Sequence, residues 1–298
     1  MYSDERIVKL KLDIIFKRIF GNAKNENIIA AFISDLLEIP RNDIKAVYIE
    51  NVELVPEYLD QKFSRLDIKM DVDDRIVNIE MQVNREPDFK DRTLFYWSKL
   101  YSEELKVGEE YGELKQTICI NIINFDLFDC EDYHSNFRIL ENERGELLTD
   151  KFAIHFFELK KLGKFKKNRR MEDWLYLINA ETESDLMEIQ NKSTIPEVHE
   201  TIVKLRELSA DEKLKREAYY REKRMHDEAS AIIGSRREGR AEGLAEGLAE
   251  GLAKGLAEGR EKGLAEGRTK ERDIIIKNMR KNGFTEEQIK LVLGNNND

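Results

Sequence analysis

Apolar and polar side chains alternate along two neighbouring stretches, 64–72 and 76–84, with the two-residue period of strands that bury one face. Asp73 and Asp74 lie between them as a two-residue hairpin loop, which fixes the register because paired positions then keep a constant sum. The register predicts three apolar pairs on one face: Leu66 with Met81, Ile68 with Ile79, and Met70 with Val77. A slip of one residue would reverse both faces, so the pattern predicts one specific hairpin.

The polar face of this hairpin places Asp67 directly opposite Glu80. Directly opposed Cβ atoms lie about 4.5 to 5.5 Å apart, and like charges at that distance destabilise a sheet unless something compensates them. A divalent cation such as Mg²⁺ would compensate, since it binds carboxylate oxygens at about 2.0 to 2.1 Å and keeps several waters. The competing interpretation is a solvated, charge-rich strand face on which two acids meet by chance.

The periods on either side of the hairpin predict the other elements of an N-terminal core. The predicted helices are 12–20, 26–37 and 90–105. The predicted further strands are 44–54, 116–125 and 153–159. Gly21 ends the first helix and Pro40 stops the second, while the strand at 116–125 is apolar enough to be buried on both faces. The order of elements predicts an α/β fold with a mixed α+β sheet flanked by helices.

Charge and hydropathy narrow the function classes. Charged residues make up 37% of the 298 residues and are concentrated toward the C-terminus, where hydrophobic periodicity weakens. A formal net charge of −10 argues against a protein that coats nucleic acid indiscriminately, although a basic run at 160–170 offers local positive potential or simply a solvated surface. No apolar run approaches the roughly 20 residues of a membrane helix, and we expect a cytoplasmic protein without membrane contact.

Cysteine and histidine spacing gives no sign of a zinc site. Cys119 and Cys130 stand alone, and two thiols in a chain of this length form no disulfide framework. The four histidines are scattered without metal-ligand spacing, and we assign all of them to structural roles: His134, His155, His199 and His226.

Five short motifs follow one another along the N-terminal half: 13–21 (Asp-Ile-Ile-Phe-Lys-Arg-Ile-Phe-Gly), 66–68 (Leu-Asp-Ile), 78–82 (Asn-Ile-Glu-Met-Gln), Arg92 with Tyr96, and 108–111 (Gly-Glu-Glu-Tyr). Their order resembles the PD-(D/E)XK nuclease superfamily, and more closely the Rpn family of recombination-promoting nucleases and transposases. No single motif is specific, but the ordered set is, and it covers roughly the first 160 residues. The resemblance implies a restriction-endonuclease-like core.

The resemblance also implies metal-dependent hydrolysis of DNA phosphodiester bonds, with Asp67 and Glu80 holding Mg²⁺, for which Mn²⁺ is a substitute. The third catalytic position, usually Lys in the superfamily, is Gln82, as in the Rpn family itself. Gln cannot act as a base, so it orients water or contributes its carbonyl oxygen to the metal, and proton removal falls to a metal-activated water or another group. Lys69 is the candidate for that group, against the alternative of a solvated strand lysine.

Three further residues are candidates for the site. Asp13 is expected as a third acid brought to the sheet edge by the first helix, and its alternative is an ordinary polar residue on the exposed side of that helix. Arg92 and Tyr96 lie one helical turn apart and are expected to face the site and contact DNA phosphate. An Arg and a Tyr at that spacing equally serve to pack a helix against a sheet.

A glycine recurs at every fourth residue from 239 to 267, mostly within Glu-Gly-Leu-Ala. Each interior glycine costs a helix about 1 kcal/mol relative to Ala, so an isolated helix here is marginal. Small residues at this spacing let two helices approach closely, while the charges in nearly every repeat exclude a bilayer. A homo-oligomer formed through weakly associating helices and a flexible spacer are the two alternatives.

These observations divide the chain into a nuclease-like domain at 1–165, a helical extension at 166–235, the repeat at 236–270, and a C-terminal helical hairpin at 271–298. The leading function is a metal-dependent DNA endonuclease linked to recombination or transposition. The alternative is a non-catalytic DNA-binding or assembly protein on a degenerate nuclease scaffold. The replacement of the superfamily lysine keeps that alternative open, while the two retained acids favour the enzyme.

Overall fold

The computed structural model describes residues 6–50, 53–54, 64–65, 68–105, 108–163 and 169–294, which fall into two compact units, 1–227 and 228–298. The helices are α1 Asp13–Phe20, α2 Glu26–Leu37, α3 Phe89–Glu103, α4 Arg169–Asn179, α5 Glu183–Lys192, α6 Pro196–Ala210, α7 Glu212–Lys281 and α8 Glu286–Leu293. The strands are β1 Val47–Glu50, β2 Glu53–Leu54, β3 Ser64–Arg65, β4 Ile68–Val72, β5 Arg75–Gln82, β6 Gln116–Ile123, β7 His134–Phe137 and β8 Phe152–Glu158.

Six of these strands form one mixed sheet in the order β1-β4-β5-β6-β8-β7, and β2 and β3 form a separate two-stranded ladder. Strands β5, β6 and β8 run parallel to one another, whereas β1, β4 and β7 pair antiparallel with their neighbours. The predicted fold class, a mixed α+β sheet with flanking helices, is confirmed.

The β4–β5 hairpin has the predicted register. Ile68 pairs with Ile79 and Met70 with Val77, and the loop is closed by Val72 and Arg75. Asp73 takes a left-handed conformation with φ of +55°, which short polar residues tolerate in tight turns. The partners predicted further along the hairpin, Leu66 and Asp67, lie outside the described residues, so the pairing of Asp67 with Glu80 stays a prediction.

The central strands are buried on both faces, and each face packs against a different set of helices. One face of β4, β5 and β6 joins α1, α2, α4 and α6 in the larger core, where Phe16, Phe32 and Trp174 are fully buried. The other face joins α3 in a smaller core that includes Phe89 and Phe156. Polar side chains on the face that α3 covers are buried and need hydrogen-bond partners there, so this face is the candidate location of a functional site.

The helices α4 to α6 belong to the same compact unit as the sheet. Asp35 on α2 is 6% exposed and accepts a hydrogen bond of 2.8 Å from the indole nitrogen of Trp174 and one of 2.6 Å from Arg170. These bonds satisfy a buried carboxylate and fix α4 against α2, since a buried charge without partners is strongly unfavourable. The sheet and helices α4 to α6 thus share one hydrophobic cluster.

Three parts of the sheet differ from the sequence prediction. The first hairpin strand, expected to run through 64–72, is described as β3 and β4, and β3 pairs with β2 and not with β5. The single strand expected at 44–54 is instead β1 and the first strand of the two-residue ladder, with residues 51–52 outside the described part. Strand β7 was not predicted, because His-Ser-Asn-Phe carries no apolar alternation. It pairs with β8 and stacks His134 on Phe157, and Nε2 of His134 lies 3.0 Å from Nδ1 of His155.

In the second unit, α7 continues as a helix through the glycine repeats to Lys281. The repeat is therefore helical, not a flexible spacer. Gly283, with φ of +84°, follows the helix end, and Thr285 and Gln288 form a capping box at the start of α8. Among the described residues, no helix has both the length and the apolar content needed to cross a membrane.

Candidate active site

The carboxyl end of β5 presents the candidate acid Glu80 on the face that α3 covers. Asn78, Glu80 and Gln82 share this face because side chains two residues apart on a strand point the same way. Glu80 is 6% exposed, and its Oε1 atom accepts a hydrogen bond of 2.7 Å from Nη2 of Arg92 on α3. The buried carboxylate therefore has a positive partner within the protein, as a buried charge requires.

Arg92 bridges two carboxylates, since its Nη1 atom bonds Oε2 of Glu86 in the loop between β5 and α3. The guanidinium carbon lies 5.0 Å from the ring centroid of Phe89 and 5.9 Å from that of Tyr96. Its Nε atom is buried and makes no hydrogen bond within the described part of the chain. The predicted pair of Arg92 and Tyr96 is thus a contact within α3, and the guanidinium is held by aromatic rings as well as by charge.

Glu86 also holds Gln82. The Nε2 atom of Gln82 donates to Oε1 of Glu86 at 2.8 Å and to the backbone oxygen of Asn84 at 3.1 Å. Because both contacts use the amide NH₂ group, the carbonyl oxygen of Gln82 is directed the other way. Sequence reasoning missed Glu86, which lies in an aperiodic loop; the available signal was a carboxylate four residues after Gln82 and six before Arg92.

Buried polar groups surround Glu80 on the α3 face. Asn121 on β6 pairs with Glu80 in the parallel ladder, and its Nδ2 atom donates to the backbone oxygen of His155 at 3.1 Å. Its Oδ1 atom accepts a hydrogen bond of 3.4 Å from the hydroxyl of Thr93 on α3. The Oδ1 atom of Asn78 is buried without a hydrogen-bond partner among the described residues. The surroundings of Glu80 are therefore rich in oxygen acceptors.

Cys119 lies opposite Asn78 on β6, next to this group. Burial raises the pKa of its thiol far above the ordinary value, and the negative charge of Glu80 raises it further, against a smaller lowering by Asn78. A neutral, buried thiol is a poor nucleophile and a poor metal ligand. The chemistry of this face therefore belongs to its oxygen atoms.

Strand β4 brings Lys69 to the same face, across from Asn78. Its Nζ atom lies 3.9 Å from Oε1 of Glu104, just beyond the end of α3. Lys115 reaches the other oxygen of Glu104 at 3.9 Å and Asp71 at 3.0 Å. Lys69 is thus part of a group of charges that ties β4 to the end of α3.

Asp13 is the first residue of α1, and its carboxylate pairs with Arg221 near the start of α7. The Nε atom of Arg221 lies 2.9 Å from Oδ1 of Asp13. One turn further along α7, the backbone oxygen of Met225 accepts a hydrogen bond of 3.2 Å from Asn84, two residues after the end of β5. Helix α7 thereby links Asp13 to the carboxyl end of the strand that carries Glu80.

The basic run at 160–170 is divided among different contacts where the structure describes it. Lys161 is buried against Glu158, Arg169 donates to a backbone oxygen, and Arg170 pairs with Asp35. Residues 164–168 lie outside the described part. Lys161, Arg169 and Arg170 thus have structural partners, while Lys160 is exposed, which weakens the interpretation of the run as a phosphate-binding surface.

The donor set around Glu80 fits a hard divalent cation. Carboxylate and amide oxygens are the ligands that Mg²⁺ prefers, and Glu80, Gln82 and Asn78 supply them on one strand face. Among the described residues no group of three or more His, Cys, Asp or Glu side chains is placed to hold a metal. The second predicted ligand, Asp67, lies outside the described residues.

Comparison with known proteins places the chain in a family. A family model described as PD-(D/E)XK nuclease family transposase matches residues 10–235, which include the whole six-stranded sheet and helices α1 to α6. No curated protein and no solved structure matches the chain. The match confirms the resemblance to a transposase-type family of the PD-(D/E)XK superfamily. It also extends the resemblance past the predicted 160 residues into the helical extension. The chain belongs to the PD-(D/E)XK nuclease family transposases.

Proposed function

We propose that the protein is a Mg²⁺-dependent DNA endonuclease linked to recombination or transposition, with Mn²⁺ as a substitute metal. Membership of the family supports a nuclease-related function. The observation that carries the proposal is a buried carboxylate, Glu80, at the carboxyl end of a central strand, followed two residues later by Gln82 on the same face. We propose that Asp67, which precedes β4 in the sequence, is the second ligand of the cation.

A bound divalent cation would lower the pKa of a water molecule and stabilise charge that grows on the phosphate oxygens. The contribution of the chain is positioning. Glu80 anchors the cation side of the site, and the amide of Gln82, fixed by Glu86, presents its carbonyl oxygen toward ligands or water. Asn121, the ladder partner of Glu80, and Thr93 are both buried and hydrogen-bond to each other.

DNA is the proposed substrate, and cations near the site are the groups that would bind its backbone. Arg92 and Lys69 lie on the α3 face with Glu80 and would contact phosphate oxygens, and Tyr96 would support the Arg92 guanidinium. Arg92 is suited to this task because its planar fork binds two phosphate oxygens at once. Asp13 is proposed as a third acid, held near the end of β5 by Arg221.

A cleavage assay on supercoiled plasmid tests the proposal. Nicked or linear product is expected with Mg²⁺ or Mn²⁺ and absent with chelator, and Asp67→Ala and Glu80→Ala are each expected to abolish it. Asp74→Ala is the matched control, because Asp74 is an exposed acid at the hairpin loop that forms an ion pair with Arg75. Undiminished cleavage by both site variants would reject the assignment.

One observation favours a non-catalytic DNA-binding protein on the same scaffold. The Glu80 carboxylate is bound by Arg92, and Gln82 occupies the position that is usually Lys in the superfamily. Neither of these two groups is therefore ready to accept a proton as a general base. In that case the protein would bind DNA without cutting it. Slower migration of the plasmid in a gel-shift assay, with no cleavage at any metal concentration, would support this second function.

The repeat in α7 is proposed to mediate self-association. Leu244, Leu248, Leu252 and Leu256 are each about two-thirds to three-quarters exposed. Such a row of leucines on an otherwise charged helix is a contact surface that a second copy of the helix could cover. Light scattering on the full chain and on a variant that lacks 239–267 tests self-association. A measured mass above that of a single copy is expected only for the full chain.

A further inference from the structure

We propose that Arg92 is a built-in competitor for the metal at Glu80, and that Glu86 is the carboxylate that keeps its guanidinium when a divalent cation takes Glu80. The inference rests on the proposed function, because it requires that Glu80 binds the cation. It adds a regulatory contact to the site, in which metal entry and release of an arginine are one event.

The two carboxylates that share Arg92 differ in burial. The Glu80 side chain is 8% exposed, whereas that of Glu86 is 47% exposed. A buried carboxylate needs a positive partner at all times, and Arg92 supplies it in the metal-free protein. Water can complete the hydrogen bonds of Glu86 but has little access to Glu80. The guanidinium of Arg92 therefore stabilises the charge of Glu80 more than that of Glu86.

The cation and the guanidinium need the same carboxylate. Nη2 of Arg92 lies 2.7 Å from Oε1 of Glu80, and a metal ion bound to this carboxylate at its usual distance would repel the guanidinium. Arginine presents five donors in a planar fork, so it can lose one carboxylate and keep the other. Glu86 already holds Nη1, and it therefore defines where the displaced group stays.

Release of Nη2 has a consequence for substrate binding. The buried Nε atom of Arg92 is without a hydrogen-bond partner in the described part of the chain, and Nη2 would join it as an unused donor. Nη2 would then be available to a phosphate oxygen, and Nε, which is buried in this conformation, would join it once the side chain turns outward, since two adjacent donors on one edge of a guanidinium match two phosphate oxygens. Metal entry would thus convert Arg92 from the counterion of Glu80 into a group ready for the DNA backbone.

Calorimetric titration with Mn²⁺ alone, on the full chain without DNA, tests this mechanism through affinity and not through activity. Arg92→Gln removes the competitor and is expected to bind Mn²⁺ about fivefold more tightly, the equivalent of about 1 kcal/mol for a partly exposed ion pair. Glu86→Gln leaves Arg92 with Glu80 as its remaining carboxylate partner and is expected to weaken binding about fivefold.

The double variant separates competition from the general effect of charge. If Glu86 acts through Arg92, Glu86→Gln should change affinity by less than about twofold in the Arg92→Gln background, whereas independent charges would give additive effects. Arg85→Gln and Asp91→Asn are the matched controls, because they make the same charge changes at exposed neighbouring positions that do not contact Glu80. Both are expected to leave Mn²⁺ affinity within about twofold.

Glu80→Gln distinguishes failure of this inference from failure of the proposed function. If the wild type binds no Mn²⁺, or if Glu80→Gln binds it equally well, the proposed metal site is wrong. If Glu80→Gln loses binding but Arg92→Gln gains none, or if the double variant is additive, the competitor is rejected and the metal site stands. Circular dichroism establishes folding, and if Arg92→Gln unfolds, Arg92→Lys replaces it with the same direction expected, since an ammonium cannot bridge two carboxylates as a fork.

Discussion

The Nζ atom of Lys161 lies 2.7 Å from Oε2 of Glu158, and the two side chains are 5% and 0% exposed. The pair also holds the loop that follows β6. Oε1 of Glu158 accepts a hydrogen bond of 2.6 Å from the backbone of Leu127, and Lys161 donates to the backbone oxygen of Phe128 at 2.7 Å. A lysine from the basic run is thus used to close the core beside α3.

Lys161→Met is expected to lower the free energy of unfolding by about 3 kcal/mol, because it leaves a buried carboxylate with no opposite charge. Urea unfolding followed by tryptophan fluorescence measures the change. Lys160→Met, the exposed neighbour in the same run, is the control and is expected to change stability by less than about 0.5 kcal/mol. Equal effects of the two substitutions would show that the buried pair contributes nothing specific.

Asp13 and Arg221 form a partly exposed ion pair. Substituting each partner in turn distinguishes a structural role of Asp13 from a catalytic one. A structural role predicts that Asp13→Asn and Arg221→Gln have similar, small effects of about 1 kcal/mol or less on stability. A role as a third acid predicts that Asp13→Asn alone lowers the cleavage rate, by about 100-fold or more. We expect the second outcome in the plasmid assay. Equal cleavage rates for the two variants would assign Asp13 to structure.

The hairpin register was predictable from sequence because a two-residue loop and a period of two leave no freedom. The contacts that define the site were not. Asp13 meets Arg221 across 208 positions of sequence, and no local pattern encodes a contact between helices so far apart. Glu86 lies in an aperiodic loop, and its role follows from the geometry of Arg92. Local periodicity thus gives the strands and their faces, while the partners of a buried charge depend on tertiary packing.

Strand β7, which has no signal in the sequence, places His134 beside His155 of β8. This contact affects how the stability of the protein depends on pH. Burial, together with the charges of His134 and Arg138, lowers the pKa of His155 to about 3. The folded protein keeps His155 neutral while the unfolded chain protonates it below pH of about 6.5, so the unfolded state binds more protons in this range. The contribution of His155 to stability is therefore complete above about pH 6.5 and declines as the pH falls toward 3.

His155→Gln is expected to reduce the loss of stability between pH 7 and pH 5, measured as the shift of the urea midpoint. This range lies above the ordinary pKa values of Asp and Glu, so carboxylate titration contributes little. His226→Gln is the control, because His226 is exposed. An unchanged pH dependence in His155→Gln would show that His155 does not cause the loss of stability in this pH range.

The glycines of the repeat helix separate the stability of α7 from its association. A Cβ atom added at Gly243, Gly247, Gly251 or Gly255 meets nothing within 4 Å in the described part of the chain. Each change to Ala is expected to stabilise the helix by about 1 kcal/mol, and the four together raise the temperature at which far-UV circular dichroism is lost.

The same four methyl groups act in the opposite direction on self-association if the helices approach through their glycines. Close backbone contact requires small side chains, so the quadruple Gly→Ala variant should dissociate at a higher protein concentration than the wild type in light scattering. Gly283→Ala is the control for stability, because φ of +84° makes any side chain strained there, and it should lower the melting temperature. A quadruple variant that is more stable and associates equally well would indicate that the exposed leucines, and not the glycines, form the contact.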